Sequence, residues 1–252
     1  VGSCVLDGAP MRPQKILFPF AGEDPPRHAV GKARAILGQD RPDVCFFRLI
    51  GPGGDAPTPA LDWVRDGVVA GTAMDLLAFA RRHPPSVVAV TDALDLPSPE
   101  GSPTELLVRE ARVPLLLLRE GEHPGEHGPR RIVVPVLRDP GSDDALAPLA
   151  RGLAEAADAT VILLGLSGTA PAVSSRVKVE ATLDDWHGRL RGIPALKRVV
   201  GGAPGDEIVD AAEEDDLIAM LADGPWDFVV KNARCSVLVV NAVPRSRVVA
   251  PD

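Results

Sequence analysis

The chain writes one unusual string twice. "KILFPF", Lys15 to Phe20, is an apolar hexapeptide interrupted by a proline, and 116 residues later "RIVVPV", Arg131 to Val136, repeats it almost residue for residue. Proline donates no backbone hydrogen bond and weakens a central strand, so its return at the same place points to a duplicated unit. A duplication constrains the fold more than any single motif does. Two longer blocks support it. "VVAGTAMDLLAFA", from Val68, aligns with "VVGGAPGDEIVDA", from Val199, and both read as a strand end, a Gly-rich turn and a helix start. "TELLVREARVPLLLL", from Thr104, aligns with "WDFVVKNARCSVLVV", from Trp226; between the two blocks the second copy is nine residues shorter.

Within each copy, short apolar runs alternate with amphipathic segments, the pattern of β-α-β units whose parallel sheet is covered on both faces. The runs predict strands at Ile16–Phe20, Val44–Ile50, near Val68, Val87–Thr91 and Pro114–Leu118 in copy one. In copy two they predict Ile132–Val136, Thr160–Leu166, Lys197–Val200, Leu217–Met220 and Val237–Val240. The clearest helical spacing lies within Asp143–Ala157, where Leu146, Leu149, Ala150 and Leu153 share one face. "REGEHPGEHGPR", Arg119 to Arg130, is rich in charge, Gly and Pro and reads as a linker. The expected organisation is therefore two tandem α/β domains, 12–120 and 129–245, each a doubly wound parallel sheet.

Composition narrows the function classes. With 252 residues the chain is long enough for two cores, and 45% apolar with 25% charged residues is ordinary for a folded globular protein. A net charge of -8 and a pI near 5.2, without a visible basic patch, argue against nucleic acid or an anionic membrane as partner. The longest apolar stretches, such as "VPLLLL" at Val113–Leu118, fall far short of the roughly 18 residues of a membrane-spanning helix. Cys4, Cys45 and Cys235 are odd in number and widely spaced, which suggests neither a disulfide framework nor a zinc site and fits a reducing compartment, the cytoplasm. The segment before Met11 has neither the basic start nor the apolar core of a signal peptide and reads as a linker from something upstream.

A first strand ending in a Val-Pro-Val type string, about a hundred residues of alternating strands and helices, and the closing "ARCSVLVV" together resemble the universal stress protein family in its tandem form, over nearly everything from Lys15 to Val243. The resemblance implies five-stranded Rossmann-like domains whose last strands pair across a pseudo-two-fold axis. It also implies where a nucleotide would bind. Nucleotide-binding members carry an Asp after the first strand and a G-x2-G-x9-G-[ST] loop after the fourth, a cradle of backbone amides at a helix start. Here the Asp position reads Ala21 in copy one and Leu137 in copy two, with Asp139 two residues further on. In copy one only Gly101 and Ser102 of the loop survive, beside Thr91. In copy two Leu221 takes the place of the first glycine, and Gly224 with Pro225 that of the final pair. Pro225 offers a phosphate neither an N–H nor a hydroxyl.

Other features have plainer readings. "GPGG", Gly51–Gly54, reads as a surface loop. "APGDE", from Ala203, opens a helix with acidic residues that would repel an anion. His123 and His127 flank Pro124 and Gly125, which oppose the helix a metal pair would need; His28, His83 and His187 are scattered. "EEDD", Glu213–Asp216, reads as a solvated helix end, with weak divalent-cation binding as the alternative. No G-x-S-x-G, H-E-x-x-H or P-loop motif occurs, so no enzyme, catalytic residue or metal is indicated.

The sequence thus predicts a non-catalytic regulatory or stress-response module that binds a protein partner or small ligand, without a cofactor. One alternative is a sensor holding an adenine nucleotide such as ATP in domain 1 through Thr91, Gly101 and Ser102. Another is the cytosolic regulatory domain of a membrane transporter. The chain is expected to be an internal pseudo-dimer, monomeric or forming a simple homodimer through other surfaces.

Overall fold

The computed structural model describes residues 15–38, 42–50, 62, 64–91, 113–119, 128–136, 146–167 and 173–240. The first five strands are β1 Lys15–Phe20, β2 Asp43–Leu49, β3 Val68–Gly71, β4 Val87–Thr91 and β5 Leu115–Leu118. The second five are β6 Arg131–Val136, β7 Thr160–Leu166, β8 Ala195–Val200, β9 Leu217–Leu221 and β10 Ser236–Val240. The described helices are α1 Arg27–Leu37, α2 Ala73–Arg82, α3 Leu146–Ala157, α4 Val173–Arg189, α5 Pro204–Asp210 and α6 Trp226–Asn232.

All ten strands join one sheet in the order β3-β2-β1-β4-β5-β10-β9-β6-β7-β8. Each half has the doubly wound order 3-2-1-4-5, and the second half runs in reverse from the centre. Every neighbouring pair is parallel except β5 with β10, which meet antiparallel with Leu116 opposite Leu238. The central strands are apolar on both faces because helices cover both. On one face Phe18, Phe46, Ala89, Leu116, Val134 and Leu238 pack beneath α1, α3 and α4. On the other, Leu17, Phe47, Val90, Leu117, Met220 and Val239 pack beneath α2, α5 and α6. Both apolar layers run unbroken across the β5–β10 seam, so the halves share their cores.

The repeated proline has a positional explanation. Ser86 donates its N–H to the carbonyl of Lys15, so Lys15, Leu17 and Pro19 face β4 while their even-numbered neighbours face β2. Pairing of β1 with β4 ends at Leu17 opposite Val88, whereas pairing with β2 continues through Pro19 to Phe20. The next ladder bond would run from the N–H of residue 19 to β4, which continues to Thr91, so the pairing stops where proline removes the donor. In the second half, β6 pairs with β9 only at Ile132 and Val133 and with β7 through Pro135 to Val136. Each proline thus stays inside its strand, paired on the second-strand side and ending the ladder on the fourth-strand side, where the winding direction reverses.

The seam is fastened at its ends. The Arg119 N–H donates to Ser236 Oγ at 3.3 Å, and its guanidinium bonds the carbonyl of Val230 near the end of α6. Its carbonyl accepts from Lys32 on α1. Above the seam α1 and α3 touch through small residues. Gly38 ends α1 with φ +62, and a Cβ there would fall inside contact distance of Ala156 Cβ. A Cβ on Gly128 would lie 2.8 Å from Ala157 Cβ. Gly38→Ala should therefore cost roughly 1–3 kcal/mol through strain and overpacking. Gly31→Ala, inside α1 with nothing near its Cβ position, should stabilise by about 0.5–1 kcal/mol. Urea denaturation of the two variants checks both; equal effects would show that the α1–α3 approach is not tight.

Candidate functional site

In open α/β sheets ligands bind beyond the carboxyl ends of the strands, where the winding reverses. This chain has two such points, β1/β4 and β6/β9, and they differ. At the first, Phe20 ends β1 and Thr91 ends β4. Thr91 is only 6% exposed, and strand alternation puts its side chain on the α1 face with Phe20. Phe20 meets Phe46 edge to face at 6.5 Å, Phe18 lies 5.7 Å from Phe46, and the Arg27 guanidinium sits 5.4 Å above the Phe46 ring. α1 begins after Pro26 with no side-chain cap and no acid in its first turn. Ala21 directly follows β1 and presents no carboxylate there. Gly101 and Ser102 lie outside the described residues, as do Leu137, Asp139, His123, His127 and Gly51–Gly54.

At the second point Val136 and Leu221 stand where Phe20 and Thr91 stand in the first, both buried. The polar position has become apolar. Only residues 222–225 join β9 to α6, and they are spent on local structure: Ala222 N–H bonds the Val240 carbonyl, and Gly224 N–H bonds that of Leu221. Pro225 sits at the start of α6 with no side-chain cap, and Asp227 lies in its first turn. From β9 to β10 the chain takes residues 222–235, whereas in the first half residues 92–114 join β4 to β5.

The glycine turns after the edge strands are filled by the chain's own acids. After β3, Thr72 and Asp75 form a reciprocal capping box on α2, and a Cβ on Gly71 would lie 3.1 Å from Asp75 Oδ2. After β8, the carboxylate of Glu207 lies against Gly202, where a Cβ would be. Asp206 and Glu207 occupy the first turn of α5 behind Pro204. These carboxylates take the positive helix ends that an anion would otherwise use.

"EEDD" lies at the opposite rim, in a turn before β9, where Glu213, Glu214 and Asp215 are exposed as expected and Asp216 is not. Asp216 is buried and accepts from Arg131 Nε at 3.0 Å and Nη2 at 2.7 Å. It also accepts the Glu213 N–H at 2.7 Å, and Glu213 Oε1 adds a 2.9 Å ion pair to Arg131. Hydrogen bonding to Asp216 raises the Arg131 pKa further above its usual value. The cluster pins the start of β6 to that of β9. Asp216→Ala should cost about 2–4 kcal/mol by leaving Arg131 without its main partner, whereas Glu214→Ala should change stability by less than about 0.5 kcal/mol. Equal denaturation midpoints for the two variants would refute the pin.

Cys45 and Cys235 are buried free thiols. Burial raises the Cys45 pKa and pushes that of Cys235 up to about 12, with Asp216 adding to the effect. The thiolate is thus disfavoured at neutral pH, the reverse of a reactive cysteine. At pH 8 iodoacetamide should leave both unmodified in the native protein and alkylate both in urea, as read by peptide mass; native labelling of Cys235 would contradict the burial.

No family model and no curated protein matches the sequence. Solved structures do match. A functionally unknown protein from Pseudomonas aeruginosa superposes with TM-score 0.64 at 15% identity, covering 91% of this chain and 93% of its own. A universal stress protein from Archaeoglobus fulgidus gives 0.66 at 12% identity, covering 91% and 97%. The chain has the universal stress protein fold. The cytoplasmic domain of a prokaryotic cation chloride cotransporter also matches, with TM-score 0.59 at 15% identity, covering 91% of this chain and 96% of that domain. Among the described residues no helix is long and apolar enough to cross a membrane, and no three His, Cys, Asp or Glu cluster to hold a metal. Against the universal stress protein pattern quoted above, the described positions Ala21, Leu221 and Pro225 carry other residues while Gly224 keeps its glycine, and Thr91 is the one described residue of the proposed domain 1 site.

Proposed function

We propose that this chain is a non-catalytic, cytoplasmic regulatory module of universal stress protein type that acts by binding a protein partner or small ligand. In this reading family-type ATP binding is absent from the second half and weakened in the first. The observation that carries it is the connection after β9: four residues, two backbone amides already bonded within the chain, and Pro225 at the helix start. A triphosphate needs several free amides converging on it. The first half keeps Thr91 and an uncapped α1, but Ala21 supplies no carboxylate.

Thermal denaturation with and without millimolar Mg-ATP tests this. Binding at about 100 times the dissociation constant would stabilise the native state by about 2.7 kcal/mol and raise the melting temperature by several degrees; the expected shift is near zero. A shift abolished by Gly101→Val would establish the nucleotide sensor instead, and one that survives in that variant would require a site elsewhere.

A second reading, a cytosolic regulatory domain working behind a membrane transporter, is favoured by the extent of the cotransporter-domain match, which spans nearly the whole of both chains. A membrane-spanning region encoded in the same reading frame upstream would decide for it; a stop codon directly upstream would decide against.

A further inference from the structure

Pairing β5 with β10 consumes the inner edge of each half and leaves two outer edges, β3 and β8. They are unequal. β3 has four residues and β8 has six, "ALKRVV", with no proline among them. Val161 donates to the Pro194 carbonyl and Ser167 to that of Val200, so even-numbered residues of β8 face β7. Ala195, Lys197 and Val199 then turn their N–H and C=O groups outward, where no described strand receives them. Leu196, on the sheet face away from α4, is 60% exposed, more than any other large apolar residue described. α5, which packs on that face, is seven residues long and buries Ile208.

We propose that a second copy of this chain covers the edge, β8 pairing antiparallel with β8 about a two-fold axis centred on Leu196. Charge disfavours the two registers that follow it. Centring on Lys197 sets the two lysines directly opposite, and centring on Arg198 does the same to the arginines; like charges so placed are destabilising. Centring on Leu196 opposes Leu196 to its counterpart at a non-hydrogen-bonded position, where side chains approach most closely. Ala195 then exchanges both hydrogen bonds with Lys197 of the other copy, and the reverse, while Arg198 lies opposite Pro194. Lys197 also remains ion-paired to Asp184 of its own α4, which lowers the charge presented at the edge. Both exposed leucines lose solvent contact and the unpaired backbone row is satisfied, the liability that a long edge strand otherwise carries. The contact is isologous and closes at two copies.

The test uses the full chain. Sedimentation equilibrium from 5 to 200 µM should show a monomer–dimer equilibrium in the wild type, and Leu196→Asp should raise its dissociation constant at least tenfold with the melting temperature unchanged. Should that variant misfold, Leu196→Cys, Lys197→Cys and Arg198→Cys in a Cys4→Ser background, oxidised with diamide, read the register directly. A non-hydrogen-bonded pair has the Cα spacing that a disulfide requires, so cross-linking should be fastest at position 196. A wild type that stays monomeric at 200 µM, a dimer that survives Leu196→Asp, faster cross-linking at 197 or 198, or growth beyond two copies would each overturn the proposal. Binding of an acidic extended peptide such as EVEVEVE at the edge of a monomeric chain would assign β8 to a different partner.

Discussion

Everything in this molecule is arranged around one antiparallel strand pair. A sheet of parallel strands needs a crossover for every neighbour, and each half of this chain ends its winding with an open inner edge, β5 in one and β10 in the other. Joining the two edges satisfies both backbone rows at once. It also sets the halves head to tail, which brings the first helix of each, α1 and α3, together on one face. The close approach lies at that meeting, where a Cβ on Gly38 or Gly128 would fall against Ala156 or Ala157. Arg119 then serves both halves, bonding α6 and Ser236 on one side and Lys32 on the other. An apolar layer crossing the seam on each face makes the halves one folding problem rather than two.

The prolines belong to a different constraint. A doubly wound half must let its first and fourth strands part at their carboxyl ends, because the chain leaves them in opposite directions. On β1 and on β6 a proline stands where the ladder to the fourth strand would next need a donor, and the missing N–H ends the pairing there. An unpaired donor near the core costs free energy that a residue without one avoids. The repeated string is therefore written by topology, and it marks the two places where a ligand crevice can exist without saying whether one is used.

How far the sequence could be read depended on where each residue's partner lies. Val87–Thr91 and Thr160–Leu166 are continuous apolar runs in central positions, and their bounds are legible to the residue. β8 begins at Ala195, two residues before its apolar pattern suggests, because an edge strand with exposed Leu196, Lys197 and Arg198 carries no buried alternation to read. α4 left no clear periodic signal for a similar reason: it covers the sheet margin, and among its described side chains Leu183 and Trp186 carry the buried contact. Asp216 was illegible in principle. Four carboxylates in a row look solvated, and the arginine that buries one of them lies 85 residues away. At the candidate site the residues missing from a nucleotide cradle were readable one by one, while the filling of the glycine turns by Asp75 and Glu207 depends on how the next helix folds back and was visible only in three dimensions.

The two constraints act on different parts of the chain. Seam residues touch both halves, so a change at Leu116, Arg119 or Gly38 has to be matched by its partners across β10, α6 or α3. The short turn 222–225 after β9 is bonded within its own half, through the Val240 and Leu221 carbonyls. The halves differ there, residues 222–235 between β9 and β10 against residues 92–114 between β4 and β5. A pseudo-symmetric body with asymmetric rims follows directly. The shared sheet holds the two winding-reversal points in fixed relation, and the length and charge of each rim, not the fold beneath it, decide what each can receive.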